Sequence, residues 1–360
     1  ITLKEGDSEF LPYLTTAIVP KNNDDYENHP AGTGPYMFVS RSPQENVVLK
    51  KFADYWDPDG TKGGTPAHID NVTLKIISNP DMLVMNLEGG SVDMIFHLSA
   101  SQAAQLDESK FTVTEGTMNL VQALYLNNAV PELAVPEVRK ALCYALDRTE
   151  VFDAVSDGKG TPVGSAMYPA YGKYYLSELN DAYPTNLDKA KELLAEAGYP
   201  DGFDLEITVP SNYRQHVDTA QVLSEQLKRI GVNVSIKQVE WESWVSDVYQ
   251  GRSYVSTVVG VDANTLSAPA MLSRYVSTAS NNFVNFQNSE FDETYALAVE
   301  STDDAQKTEA YKKCLTILSD EAASVYIQDL PDLVGMSNKF TGYTFYPLYV
   351  VDLAAIRPAE

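Results

Sequence analysis

Apolar and polar residues alternate through the first third of the chain, and the rhythm then changes. In GTGPYMFVSRS (32–42) and ENVVLKKF (45–52) they alternate on either side of a turn containing Pro43, the period-two signature of strands; HIDNVTLKIIS (68–78) repeats it. NPDMLVMNLEGG (79–90) predicts a short helix: an Asn or Asp start, apolar Met82, Leu83, Met85 and Leu87, and a double-glycine stop. Residues 91–98 and 111–116 predict short strands, and 118–128 a long one. The opening ITLK alternates as well, Ile1 and Leu3 against Thr2 and Lys4, so the sequence is expected to begin in mid-strand as part of something longer.

From residue 135 helices and strands take turns. VPEVRKALCYALDR (135–148) places Val138, Leu142, Ala145 and Leu146 on one helical stripe. Residues 157–186 are rich in Gly, Pro and Tyr and predict an ordered loop. A helix capped at 186–188 follows and stops at Gly198. DLEITVP (204–210), VNVSIKQVE (232–240) and SYVSTVVG (253–260) predict strands. Between them lie two helices: one with Val217, Ala220, Leu223, Leu227 and Ile230 inward, and WESWVSDVYQG. This alternation argues for a mainly parallel sheet covered by helices. Helices are predicted over 289–301 and 303–322, after which FTGYTFYPLYV returns to the strand-like texture of the opening.

A first texture, a second and a return to the first predict an α/β chain of two lobes. Residues 1–130 and 335–360 make a discontinuous first lobe and 131–334 the second, with a ligand cleft expected between them. A length of 360 residues suits two domains, and 44% hydrophobic residues are ample for their cores. With 26 basic and 50 acidic residues the chain carries −24, which excludes nucleic acid and anionic membrane surfaces as partners. Cys143 and Cys314 lie far apart and read as buried apolar groups, with a single disulfide as the alternative. His29, His68, His97 and His216 show no metal-ligand spacing, so neither metal nor cofactor is expected. No run of 18 apolar residues crosses a membrane.

Several ordered blocks resemble one family. AGTGPYMFVS (31–40) followed by ADYWDPDG (53–60) is similar to the GTGPY…NPDYW signature of the solute-binding proteins of peptide and nickel ABC transporters. NLEGGSVDM (86–94), VRKALCYALDRTEV (138–151), DKAKELLAEAGYPDGF (188–203), LKRIGVNVSIKQVEWESWVSDVYQG (227–251) and NFQNSEFDE (285–293) resemble its further blocks in order. The resemblance implies a two-lobe flytrap of the periplasmic-binding-protein type, its first lobe incomplete because the family carries a further N-terminal portion. It also implies an extracytoplasmic monomeric receptor, anchored as a lipoprotein, that delivers its ligand to ABC permease subunits.

VVGVDANTLSAPAML (258–272) is nearly free of charge in this acidic chain. The peptide-binding branch has a loop resembling GWxADYxDPxxFL here, whose first Asp pairs with a peptide ammonium. Laid on this sequence, that Asp falls on Asn264 and the second acid on Ser267, so the sequence departs from the pattern at both. Asp262, two residues upstream, is either a displaced amine anchor or a turn residue. Arg274, beyond the loop, is a candidate for a ligand carboxylate. Ser211, Asn212 and Tyr213 end the strand at 204–210, where open α/β sheets bind ligands, with a helix cap as the alternative for Ser211 or Asn212. Trp241 and Trp244 are pocket wall or core; Tyr125 and Asn127 approach the first crossing. A peptide is the first expected ligand, an oligosaccharide or other small polar solute the second, and a surface sensor or adhesin the alternative role. No GxSxG or metal spacing supports a hydrolase.

Overall fold

The structure is a computed structural model and describes residues 2, 8–11, 14, 19–77, 79, 82–263, 265–346, 348 and 350–360. Ile1, Leu3 and Lys4 of the expected opening strand lie outside the described residues. The chain forms two compact units. Ile1–Leu14, Thr117–Pro331 and Pro347–Tyr349 make the larger; Thr15–Gly116, Asp332–Tyr346 and Val350–Glu360 make the smaller.

The smaller unit begins with an antiparallel meander, β1 (Tyr36–Ser42), β2 (Asn46–Lys51) and β3 (Asn71–Lys75), turned at Pro43 as the alternation predicts. Then come α1 (Leu83–Glu88), β4 (Met94–Ile95), α2 (Ala100–Ala103) and β5 (Phe111–Thr117). Ser99 and Gln102 cap α2 reciprocally, which satisfies donors the short helix leaves open.

The larger unit runs β6 (Val121–Leu126), α3 (Pro136–Ala145), α4 (Arg148–Val155), β7 (Thr161–Pro162), α5 (Leu187–Glu196), β8 (Asp204–Pro210), α6 (Arg214–Lys228) and β9 (Asn233–Val239). It continues with α7 (Trp241–Ser243), which widens into a π-type stretch Trp244–Gln250, then β10 (Ser256–Val261), α8 (Ala268–Leu272), α9 (Ser289–Glu300), α10 (Asp304–Asp320) and β11 (Ser324–Asp329). Asn186 caps α5 by accepting from Lys189 N–H at 3.0 Å, and Gly198 beyond its end takes the left-handed conformation glycine favours. Back in the smaller unit, β12 (Pro331–Ser337) joins β4 and β5 in a second sheet, and β13 (Phe340–Thr341) pairs with β14 (Arg357–Pro358).

Two expectations need correcting. The first boundary falls at 116/117 instead of 130/131, because β6 lies inside the larger unit's six-stranded sheet, ordered β7-β11-β6-β10-β8-β9. The second falls at 331/332. That sheet is also not mainly parallel. Only β8 pairs in parallel, with β9 and β10, while β6 runs against both β10 and β11, and β11 against β7. Strand–helix alternation describes only residues 204–261; the strands next to the two crossings pair antiparallel.

Both faces of this sheet are covered. On β6, Val121, Ala123 and Tyr125 enter one core with Phe283, Phe291 and Tyr311, while Leu124 and Leu126 enter another with Leu142, Leu194 and Leu223. A β-bulge between Tyr326 and Gln328 sets Gln328 opposite Gln122.

Candidate ligand-binding site

Because β8, β9 and β10 are parallel, their C-terminal ends share one edge of the sheet, the edge at which such sheets bind ligands. Tyr213 follows β8, Trp241 follows β9 and Asp262 follows β10. The Tyr213 and Trp241 rings meet edge-on with centroids 5.3 Å apart, and Trp241 stacks on Trp244 at 5.0 Å with planes 7° apart. Tyr213 and Trp241 stay 40% and 38% exposed. Trp244 is buried and donates its Nε1–H to Thr257 Oγ1 at 2.9 Å, so it backs the platform and presents no surface. The stack exists because Trp241 and Trp244 are three residues apart, one helical turn.

The loop after β10 is held by its backbone. Arg274 Nη2 donates to the Asp262 carbonyl at 3.0 Å, Tyr171 Oη–H to the Thr265 carbonyl at 3.2 Å, and Gly260 N–H to His216 Nε2 at 3.0 Å. Thr265 and Ser267 hydroxyls lie 2.9 Å apart. Asp262 is exposed, and its carboxylate makes no hydrogen bond or ion pair among the described residues. Asn264 lies outside the described residues.

Other predicted residues have structural tasks. Tyr125 is 2% exposed, packs on Phe283 and donates to the Val121 carbonyl at 2.8 Å. Buried Asn127 spends its amide on the Tyr254 carbonyl at 2.7 Å and accepts from Ala129 N–H and Asn285 Nδ2. The Tyr125 proton and both polar groups of Asn127 are thus engaged within the fold. Ser267 is buried with its hydroxyl on Thr265. Arg274 rests on Met271 Sδ and the Asp262 carbonyl, so it braces the loop. Ser211 and Asn212 do not cap α6; the capping position is Tyr213, without a side-chain bond. Ser211 stays at the sheet edge, its N–H on the Val239 carbonyl, and Asn212 is exposed beside it.

A buried polar chain behind the loop escaped the sequence reading. His216 Nδ1 lies 2.9 Å from the Gln122 side-chain amide, which lies 2.8 Å from that of Gln328, and Ser156 Oγ ends the chain 2.9 Å from Gln328. His216 is 6% exposed, and burial lowers its pKa to about 4, so the imidazole is neutral at pH 7. Its signal was a polar residue on the apolar stripe of α6, one turn before Ala220 and two before Leu223. Asp329, next to Gln328, is buried too; desolvation raises its pKa to about 7 despite the Leu120 N–H at 3.1 Å.

Among the described residues no cluster of His, Cys, Asp or Glu fits a metal ion, and no helix is long and apolar enough to cross a membrane. The family model described as bacterial extracellular solute-binding proteins, family 5 middle, matches residues 1–283. The chain is a family 5 solute-binding protein. Its family consists of binding proteins, not enzymes, that serve ABC importers outside the cytoplasm. The glutathione-binding protein GsiB of Escherichia coli O1:K1 is 27% identical over 368 residues, spanning 96% of this chain and 70% of that protein. The heme-binding protein A of Haemophilus influenzae is 25% identical over 369 residues, spanning 96% and 65%. DppA of Helicobacter pylori, solved with the peptide STSA, superposes with a TM-score of 0.86 at 22% identity, covering 100% of this chain and 72% of that one. That likeness establishes the periplasmic-binding-protein fold for this family 5 chain.

Proposed function

We propose that this family 5 protein captures an oligopeptide, or another small polar solute with a free amine, and hands it to the transmembrane subunits of an ABC permease. The observation that carries the reading is Asp262: an exposed carboxylate without a partner among the described residues, in a loop otherwise free of acids and clamped through its backbone. A carboxylate so placed has its acceptor sites open for an ammonium group. GsiB, named for glutathione, and DppA, solved with a tetrapeptide, make peptides the first panel to test.

Thermal shift with glutathione, di- to hexapeptides and their N-acetylated forms tests it. Free-amine peptides should raise the melting temperature and acetylated ones should not. Asp262→Asn should weaken binding by about 10–100-fold, the value of a hydrogen bond to a charged group. Equal binding of acetylated peptides would sink the amine-anchor role. The open faces of Tyr213 and Trp241 favour a second reading, since such rings also stack on sugars. Stabilisation by oligosaccharides and by no peptide would select it.

A further inference from the structure

We propose that His216, as the neutral imidazole with its proton on Nδ1, is a positioning residue for the ligand loop and sets that loop through Gly260. The proposal rests on reading residues 261–267 as ligand-facing, but its first test does not depend on that. The Gly260 N–H is the one fixed point in the chain, because a backbone amide can only donate. It points at His216 Nε2 from 3.0 Å, so Nε2 supplies a lone pair and carries no proton. A neutral imidazole holds one proton, which must then be on Nδ1.

That assignment orders the rest. The structure sets the Gln122 amide nitrogen 2.9 Å from Nδ1, where it would meet this N–H donor to donor, so on this proposal the amide is turned and its oxygen accepts from the ring. In the structure Gln328 Nε2 donates to Gln122 Oε1 at 2.8 Å and Ser156 Oγ–H to Gln328 Oε1 at 2.9 Å. Turning Gln122 turns Gln328 with it, so that the Gln122 nitrogen donates to the Gln328 oxygen and the Gln328 nitrogen to Ser156 Oγ. An amide's oxygen and nitrogen have the same shape, and only the network decides between them. Every bond in this row runs one way, from Gly260 toward Ser156. It crosses α6, β6 and β11, and the bulge in β11 is what brings Gln328 into line. Gly260 is the next-to-last residue of β10, two before Asp262. A wrong tautomer would turn two donors or two lone pairs toward each other and release Gly260.

Two substitutions separate this role from packing. In His216→Gln the amide oxygen reaches the place of Nε2 and still accepts from Gly260; in His216→Asn the amide nitrogen takes the place of Nδ1 and serves only Gln122. Both lose one bond and some packing. Hydrogen exchange at the Gly260 amide, read by NMR without ligand, should stay slow in His216→Gln and become fast in His216→Asn. In the wild type, the nitrogen-15 shifts of His216 should be pyridine-like for Nε2 and pyrrole-like for Nδ1 at neutral pH. Binding of glutathione, or of the tetrapeptide STSA if glutathione does not bind, should weaken about tenfold in His216→Asn and stay within about twofold in His216→Gln.

A pyrrole-like Nε2, or equal loss of Gly260 protection in the two variants, overturns the proposal. If neither variant folds, the wild-type nitrogen shifts decide it. Absence of binding by either probe in the wild type counts against the peptide reading alone, because exchange and nitrogen shifts still decide the role of His216.

Discussion

On β6 of the larger unit all six residues are buried, whereas on β1 of the smaller unit none of seven is. The larger unit's sheet has a core on each face, while the smaller unit gathers Val84, Leu87, Ile95, Leu98, Leu106, Phe111 and Leu333 into one cluster and leaves Met37, Val39, Leu74 and Ile76 exposed. Polar groups follow suit. In the larger unit Gln122, His216, Gln328 and Asp329 lie inside and must find partners there. In the smaller unit Asp59 and Asp107 stay at the surface and tie turns; bonds from Thr61 and Ser109 lower their pKa values. Covering a sheet on both sides converts its polar residues from turn makers into an internal network.

The largest expected effect tests the cores themselves. Phe283, 1% exposed, touches the rings of Tyr125, Tyr249 and Tyr254, so Phe283→Ala should destabilise the larger unit by about 3–5 kcal/mol. Leu87→Ala in the smaller cluster should cost about 2–3 kcal/mol, nearer the low end because few neighbours surround the cavity. Urea unfolding followed by Trp56 for the smaller unit, and by Trp241 and Trp244 for the larger, reads the two separately. If Leu87→Ala costs as much as Phe283→Ala, core size does not distinguish the units.

Buried titratable groups give the next effect, and here signs matter. His216 titrates at about 4 when folded against 6.5 ordinarily, so between those values the unfolded state binds the extra proton and stability falls with falling pH. The full loss is about 3 kcal/mol at 1.36 kcal/mol per unit. Asp329 is the reverse. Titrating at about 7 against 3.8, it holds its proton in the folded state, and stability falls by about 4 kcal/mol as pH rises across that window. From about pH 4 to 6.5 the two slopes nearly cancel. Asp329→Asn should therefore uncover a stability that rises with pH there, relative to wild type, and His216→Gln one that falls. Denaturant titrations at each pH check both, and parallel profiles for wild type and variants would show that neither group is coupled to folding.

Much of this was readable in the sequence, for reasons that differ by element. Helices α3, α5 and α6 were legible because each has one covered face; Val138, Leu142, Ala220, Leu223 and Leu227 are buried as their stripes predict. The β1–β2–β3 meander was legible because alternation survives where one face is open. β6 was readable as a strand but not as a member of the larger sheet, since register and neighbours are set by residues far away in the chain. That misplacement carried Tyr125 and Asn127 into the predicted site. Tyr213, Trp241 and Asp262 all follow strands that end at one sheet edge; Tyr213 was legible from the rule about strand ends, Trp241 from its place at the head of a helix, and Asp262 from the low charge of its loop and the resemblance. The His216 chain was hidden because its members come from α6, β6 and β11, and only folding brings them together.

The smallest effect contrasts two surface ion pairs. In the larger unit Arg229, just past α6, grips Glu150 in the first turn of α4 with two parallel bonds of 2.9 Å, and Gln226 adds a third contact to the same carboxylate at 3.0 Å. Both partners are about half exposed, so water screens them, but the fork holds one geometry and joins two helices whose apolar stripes already meet. In the smaller unit Arg41 meets Glu27 at 3.8 Å through a single contact, with Glu27 80% exposed. Arg229→Ala should cost about 0.5–1 kcal/mol at low salt, and Arg41→Ala close to nothing. At 1 M salt, where screening acts within about 3 Å, most of the Arg229 cost should disappear. A cost that persists at high salt would mean that the Arg229 side chain stabilises α6 by covering apolar surface with its aliphatic stem, so the larger unit's burial would extend even to its ion pairs.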